Sequence, residues 1–317
     1  MYCPYHNEDH QAGVEFSKEH ILPYAAGGSN QLVIDVCKNS NNQLGSEVDS
    51  PMLNSWYFSV ERFHRGIKGH GGALPTVEFQ GTIDGVPAVY SFSQEQKRLF
   101  VKPKVEWKPG AGQQEITINC TDDQLMEILV NINKKIAKRG GNSLDIETLL
   151  ESAEVKSIPS PKMSVKLTFD VTSFDRAFVK MALGLAHFVI GEKYSRCHEA
   201  DLLREFLWEP DKDKRGSFPL HGQVWPNADP KLTNVFKYKD FHVLALLNVN
   251  PFGFYGLLFG QYCGHIQCSE NSEYFAEEVP LGDGWVFLID PVSRKLRKYG
   301  LAEYFNKKQC NALRIAD

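Results

Sequence analysis

The chain contains no uninterrupted run of about 18 apolar residues, the length a helix needs to cross a bilayer. Its opening residues, Met1-Tyr2-Cys3-Pro4-Tyr5-His6, lack the basic and then apolar layout of an export signal. Together these absences predict a cytoplasmic protein with no membrane partner. The seven cysteines (Cys3, Cys37, Cys120, Cys197, Cys263, Cys268, Cys310) are odd in number and scattered, which argues against a disulfide framework. Metal ligation or simple burial is what remains for them. An excess of positive charge is also missing. A net charge of -4 exerts no global pull on nucleic acid, so any nucleic-acid site must rest on a local patch or a bound cation. Internal repeats and low-complexity tracts are absent too.

What is present is 317 residues, 42% of them hydrophobic, enough for two or three domains with buried cores. Residues 1–55 are polar and rich in Gly and Asn. They carry a turn at Ala26-Gly27-Gly28-Ser29-Asn30 and then the alternation Leu32, Ile34, Val36, which suits a strand. Up to residue 53 this stretch holds seven acids against Lys18 and Lys38, an imbalance that a metal cation would offset.

Residues 56–160 read as an α+β region. Alternating segments around 76–79, 88–92 and 99–102, separated by Asp84-Gly85, Gln94-Glu95 and Pro109-Gly110, predict antiparallel strands. Thr121-Asp122-Asp123 caps a helix with Leu125, Ile128, Leu129, Ile132 and Ile136 at helical spacing, ending at Gly140-Gly141. Residues 161–317 begin with a helix after Thr172-Ser173 whose stripe Phe174, Phe178, Met181, Leu185, Phe188 reads as core. Runs such as 242–247 and 285–289 then predict a mainly antiparallel sheet. The fold class is α+β: a small N-terminal module followed by mixed accessory regions.

Three short patterns carry the chemistry. They are Cys3-Pro4-Tyr5-His6, then Glu19-His20-Ile21-Leu22-Pro23 with the Gly27-Gly28 turn, then Cys37-Lys38-Asn39-Ser40-Asn41-Asn42-Gln43-Leu44-Gly45. In this order and spacing they resemble the ββα-metal fold of HNH endonucleases. More narrowly, they resemble the subgroup with the patterns C-x-x-C, E-H-I-x-P and C-x-x-C-N-x-x-L-G. The likeness spans about residues 3 to 53. It implies a phosphodiester hydrolase acting on DNA, with RNA open as a substrate, of the kind suspected in restriction or phage defence.

The residue types suit that reaction. Cutting a phosphodiester needs a deprotonated water, which an imidazole near neutral pH can provide. It also needs charge relief at the phosphate, which one divalent cation can provide. The resemblance puts the general base on His20 and a catalytic Mg²⁺ or Mn²⁺ on Glu19 and Asn41, whose oxygens are hard ligands. Asn42 is the rival of Asn41. Asp49 lies two helical turns further on, which places it poorly for the same ion. Glu19 and His20 are adjacent and would face opposite ways on a regular strand, so an irregularity at Ile21-Leu22-Pro23 is expected to bring them together. Asn30 corresponds to the middle Asn of the motif and would tie the loop together.

The resemblance also implies a structural zinc held by two C-x-x-C pairs. Here Cys3, His6 and Cys37 supply three donors and Ser40 stands where the fourth cysteine would be, so either His10 fills that place, or zinc binds weakly, or the site has been lost. Beyond the module, Arg62, Arg65 and Lys68 in a Gly-rich segment are candidates for gripping DNA phosphates. The competing class is a binding protein: a nucleic-acid or partner adaptor that keeps the scaffold but does not cut.

Overall fold

A computed structural model of the protein describes residues 1–109, 114–138, 144–156, 162–167, 170–215, 222–310 and 313. The chain forms two compact units, one made of residues 1–75 and 169–317, the other of residues 76–168. Expected divisions near 55 and 160 compare with these observed ones at 75 and 168. Every described strand pairing is antiparallel, and the class is α+β. No helix among the described residues is long and apolar enough to cross a membrane.

The chain opens with a two-strand knuckle, β1 (Tyr2–Cys3) against β2 (Glu8–Asp9). A hairpin follows, β3 (Phe16–His20) against β4 (Val33–Cys37), then helix α1 (Lys38–Leu44). Helix α1 does not stop at Gly45. It widens into a π turn over Gly45–Asp49 and continues through Ser50–Leu53. Helix α2 (Trp56–His64) ends the run. Strand β4 carries the expected alternation, with Ile34 and Val36 buried.

In the second unit, β5 (Val77–Ile83), β6 (Val86–Phe92) and β7 (Lys97–Val101) form a meander joined by β8 (Lys104–Pro109) and β9 (Gln114–Asn119) as a separate hairpin. Helix α3 (Asp122–Lys138) starts at Thr121, whose hydroxyl donates to Gln124 at 2.8 Å. Its stop at Gly140-Gly141, like Gly110 of the preceding turn, lies outside the described residues. Helix α4 (Ile146–Ser152) is capped by Asp145, and β10 (Ser164–Val165) pairs with β5.

The chain then returns to the first unit through α5 (Val171–Ile190). The predicted stripe Phe174, Phe178, Met181 and Leu185 is buried, whereas Phe188 is exposed. Burial extends well beyond one stripe, from Ser173 to Ala186 nearly without interruption, because α5 is covered on several sides. Helix α6 (His198–Trp208) packs beside it. Strands β11 (Gly222–Val224), β12 (His242–Asn248), β13 (Phe252–Leu258), β14 (Tyr262–Ser269), β15 (Gly284–Ile289) and β16 (Leu296–Gly300) build a sheet ordered β11-β14-β13-β12-β15-β16.

The apolar run of β12 is continuous because both faces of that sheet are covered. Leu244 and Leu246 join a core containing α5 and the N-terminal module, while Val243 and Ala245 face a second core with helices α7 (Pro230–Phe236) and α8 (Leu301–Gln309). Cys3, Tyr5, Ile21, Val36 and Leu44 belong to the same core as Phe174, Phe178, Phe254 and Phe287. A module of some fifty residues with few apolar side chains thus borrows its core from the C-terminal half.

One face of α5 makes the seat. Arg176, Lys180 and Gly184 recur every fourth residue and so lie on one side of the helix. Arg176 donates to the carbonyls of Glu47 (3.1 Å) and Leu207 (2.9 Å), and Lys180 binds Asp49. At Gly184 an added Cβ would fall 2.6 Å from the Tyr5 hydroxyl and 3.2 Å from Ile21. Glycine is what lets the hairpin approach this closely.

Candidate active site and metal centre

The Cys3 and Cys37 thiols and the His6 imidazole converge, their ligand atoms all within 4.8 Å of one another. The knuckle between β1 and β2 delivers Cys3 and His6, and the end of β4 delivers Cys37. Both cysteines are buried, and burial pushes the Cys3 thiol up and the His6 imidazole down from their ordinary values. Ser40, one turn into α1 and fully buried, fills the fourth corner. Its hydroxyl lies 3.2 Å from Cys3 Sγ, 3.1 Å from Cys37 Sγ and 2.9 Å from His6 Nδ1. His10 stands outside this cluster, its ring against Phe16 and its Nε2 beside Glu8. Two thiols, one imidazole and one hydroxyl form a donor set that suits zinc, the soft sulfurs supplying most of the selectivity. The ring of Trp208 packs on His6 at 5.3 Å, and its indole N–H donates to Tyr5 O at 2.7 Å, so α6 closes the knuckle from outside.

The second group of predicted residues is divided. Strands β3 and β4 pair in regular register from Phe16↔Cys37 to His20↔Val33, without a bulge. Glu19 and His20 therefore keep the alternation of an ordinary strand, Glu19 turned inward and His20 half-buried at the surface. The expected strand end is present, since β3 stops at His20 and the chain bends at Ile21 and Leu22, but it leaves the Glu19 and His20 side chains on opposite sides of the strand. No hydrogen bond joins Glu19, His20 and Asn41 to one another. Asn41 instead donates to Ser17 Oγ (2.8 Å) and to the Lys18 carbonyl (3.1 Å), fastening α1 to β3.

Glu19 is ion-paired with Lys180, and the same ammonium reaches both Asp49 oxygens at 3.0 and 2.8 Å and the His20 carbonyl at 3.0 Å. All of this is buried: Lys180 is 0% exposed, Glu19 6% and Asp49 8%. A lysine removed this completely from water is tolerable only when paired and hydrogen-bonded. Burial opposes the charge on Lys180, but Asp49 and Glu19 outweigh it and hold the ammonium above its ordinary range. Burial pushes the Asp49 carboxyl up to about 6 against the pull of Lys180, as expected where two acids share one cation.

His20 faces a different setting. Its Nε2 lies 2.9 Å from Asn30 Oδ1 across the Gly27-Gly28 turn, an acceptor that fixes the Nε2–H tautomer and leaves Nδ1 without a hydrogen bond. Burial lowers the His20 pKa, with the Asn30 bond acting in the opposite sense. Around it stand Tyr24 (ring centroids 5.4 Å apart) and His70 (6.0 Å), the latter stacked on Tyr24 at 4.4 Å. Arg294, from the turn between β15 and β16, lies over the Tyr24 ring at 3.6 Å, donates to the Tyr24 carbonyl, and donates to Lys68 O at 2.7 Å.

The C-terminal sheet buttresses this loop. His242 at the start of β12 bonds Ala26 O at 3.0 Å, and a Cβ on Gly27 would lie 2.4 Å from Pro291 O. Of the predicted phosphate-gripping residues, Arg62 is buried and bonds Leu53 O at 3.3 Å, whereas Arg65 pairs with Glu61 and Asp240. Only Lys68 of the three is exposed. Tyr24, His70, Lys180 and Arg294 were not singled out by the sequence. Lys180 sits in an apolar helix, and Arg294 comes 274 positions after His20 in chain numbering.

Residues 1–57 match the family model described as HNH endonuclease. That span holds β1 to β4, α1 and its continuation, with the Cys3, His6, Cys37 cluster, Glu19, His20 and Asn41. No curated protein and no solved structure matches the chain.

Proposed function

We propose that the protein is an endonuclease that hydrolyses phosphodiester bonds in DNA, with His20 as the general base. The observation that carries this is the state of His20: neutral, oriented through Nε2 by Asn30, and with Nδ1 free inside a module of the HNH type. Water oriented at Nδ1 gives up its proton there and attacks phosphorus. The opposite P–O bond breaks, and the leaving oxygen takes a proton from solvent water. Because water rather than a sugar hydroxyl is the nucleophile, the reaction needs no 2′-hydroxyl, which suits DNA. Arg294 brings positive charge close to His20, and its guanidinium holds the backbone carbonyl of Lys68, whose side chain is exposed.

A catalytic Mg²⁺ or Mn²⁺ on Glu19 and Asn41 is what the family resemblance implies, but the side chains do not fit one as they stand. Glu19 is occupied by Lys180 and Asn41 by β3. Zinc at Cys3, His6 and Cys37 fits and would be structural, pinning the knuckle to the start of α1.

The test is plasmid and single-stranded DNA, with an RNA arm, incubated with wild type and His20→Ala under Mg²⁺, Mn²⁺ or chelator. Cleavage lost in the folded His20→Ala chain supports the assignment; equal cleavage by both removes it. The engagement of Glu19 with Lys180 favours a second reading, an adaptor that binds nucleic acid without cutting. Its signature is DNA retention in gel shifts with no product under any ion.

A further inference from the structure

We propose that Lys180 is the built-in cation of the Glu19 and Asp49 carboxylates, so that this pocket takes no divalent ion from solution. Three independent features of the fold lead there. The ammonium touches Glu19, bonds both Asp49 oxygens at 3.0 and 2.8 Å, and bonds the His20 carbonyl at 3.0 Å, so its three donors are used on acceptors that would otherwise face a metal. It arrives on the central turn of the most buried helix, with Arg176 and Gly184 on the same face fixing the helix against the module. The π turn over Gly45–Asp49 brings Asp49 to the same point, although it lies eight positions after Asn41.

The electrostatics favour a lysine over an ion in this position. Mg²⁺ keeps several waters and demands octahedral oxygen ligands, whereas this site is buried and its centre is already occupied by an amine. Displacing Lys180 would leave an unpaired ammonium with 0% exposure inside the core. Lys180 therefore acts as a positioning residue. It neutralises Glu19 and holds the backbone of His20, while the charge met by a phosphate must come from the far side of β3, where Arg294 and Lys68 lie. The consequence for cleavage rests on the nuclease reading, but the site itself is tested by binding alone.

The full chain, loaded with zinc, is titrated with Mn²⁺ and free ion is followed by electron paramagnetic resonance, for wild type and Glu19→Gln. Asp49 still pairs Lys180 in Glu19→Gln, so that variant keeps its buried charge matched. Identical Mn²⁺ binding by the two chains is the expected result. A site present in wild type and lost in Glu19→Gln overturns the proposal. Lys180→Ala supplies the converse: it empties a cation-sized space beside two carboxylates, and its lowered Tm should rise by on the order of 5 °C in millimolar Mn²⁺ while that of wild type does not. A folded Lys180→Ala chain whose Tm ignores Mn²⁺ also overturns it. If that variant does not fold, the wild-type and Glu19→Gln pair decides. Because no arm reads cleavage, failure of the nuclease reading would leave this result standing, and the reverse.

Discussion

Asn30 Oδ1 accepts the Nε2–H of His20 at 2.9 Å, ten residues away across a turn that closes on Gly27 and Gly28. The bond sets which imidazole nitrogen is free and where it points. Asn30→Ala should lower kcat by on the order of tenfold to a hundredfold, the range expected when a base loses its orientation. It should also move the acid limb of kcat/KM to lower pH, since the Asn30 bond raises the His20 pKa and its loss leaves burial unopposed. In wild type that limb should already lie below the ordinary 6.5, because burial favours the neutral base. A pH–rate profile unchanged by Asn30→Ala would mean that another group is the base.

The Ser40 hydroxyl stands within 3.2 Å of both thiols and 2.9 Å from His6 Nδ1, where a fourth ligand belongs. Ser40→Cys should therefore raise zinc affinity, by at least roughly tenfold, as a thiolate replaces a weak hydroxyl donor. Conversely, chelation of wild type or Cys37→Ala should lower the Tm, because the metal joint between the knuckle and the start of α1 would be lost. Competition with a chromophoric chelator reads the affinity. Equal affinities for Ser40→Cys and wild type would show that the fourth position is filled from elsewhere.

Gly184 of α5 lies under the Tyr5 hydroxyl. Alanine there gains helix propensity of about 1 kcal/mol, but its methyl meets that hydroxyl at 2.6 Å and Ile21 at 3.2 Å. Overpacking of this kind costs about 1 to 3 kcal/mol, so the net change is expected to be destabilising. Removing the hydroxyl relieves the nearer clash, so Tyr5→Phe with Gly184→Ala should be more stable than the sum of the single changes predicts. Denaturant unfolding of the four chains measures the coupling. Strict additivity would place the module off this face of α5.

Some of this organisation could be read from the sequence and some could not. The strand carrying Ile34 and Val36, the cysteine and histidine donors, and the long helix carrying Phe174 to Leu185 follow from period, spacing and capping, all local properties. Asn30 was recoverable for the same reason, standing ten residues after His20 just past the Gly27-Gly28 turn. The position of Glu19 was not. Whether an acid on a strand faces a metal or a lysine depends on what packs over it, and Lys180 comes 161 positions later in an apolar stretch that reads simply as core. Arg294 was hidden likewise, because a cation in a β-turn is ordinary until the fold lays it over Tyr24. Arg62 illustrates the opposite error. A cluster of basic residues in a Gly-rich segment looks like a phosphate grip, yet Arg62 is buried and donates inward to the Leu53 carbonyl.

His242 joins the candidate catalytic loop to the C-terminal sheet. His242 is 0% exposed, its Nε2 donates to Ala26 O at 3.0 Å, and its Nδ1 accepts from the Phe259 N–H at 3.1 Å. Each nitrogen has the partner that only the neutral ring can satisfy, and burial lowers the pKa to about 3. In the unfolded chain the ordinary value is 6.5, so between pH 6.5 and 3 the unfolded state binds a proton that the folded state refuses. Stability must then fall as pH drops through that window, with about 2 kcal/mol lost to this group by pH 5. His242→Gln retains a donor for Ala26 and does not titrate. It should be less stable than wild type at pH 7.5, having lost the Phe259 bond, yet its stability should change less between pH 7.5 and 5. Urea unfolding at the two pH values gives the slopes directly. Parallel slopes would transfer the acid sensitivity to other groups and leave the Ala26 joint as a plain hydrogen bond.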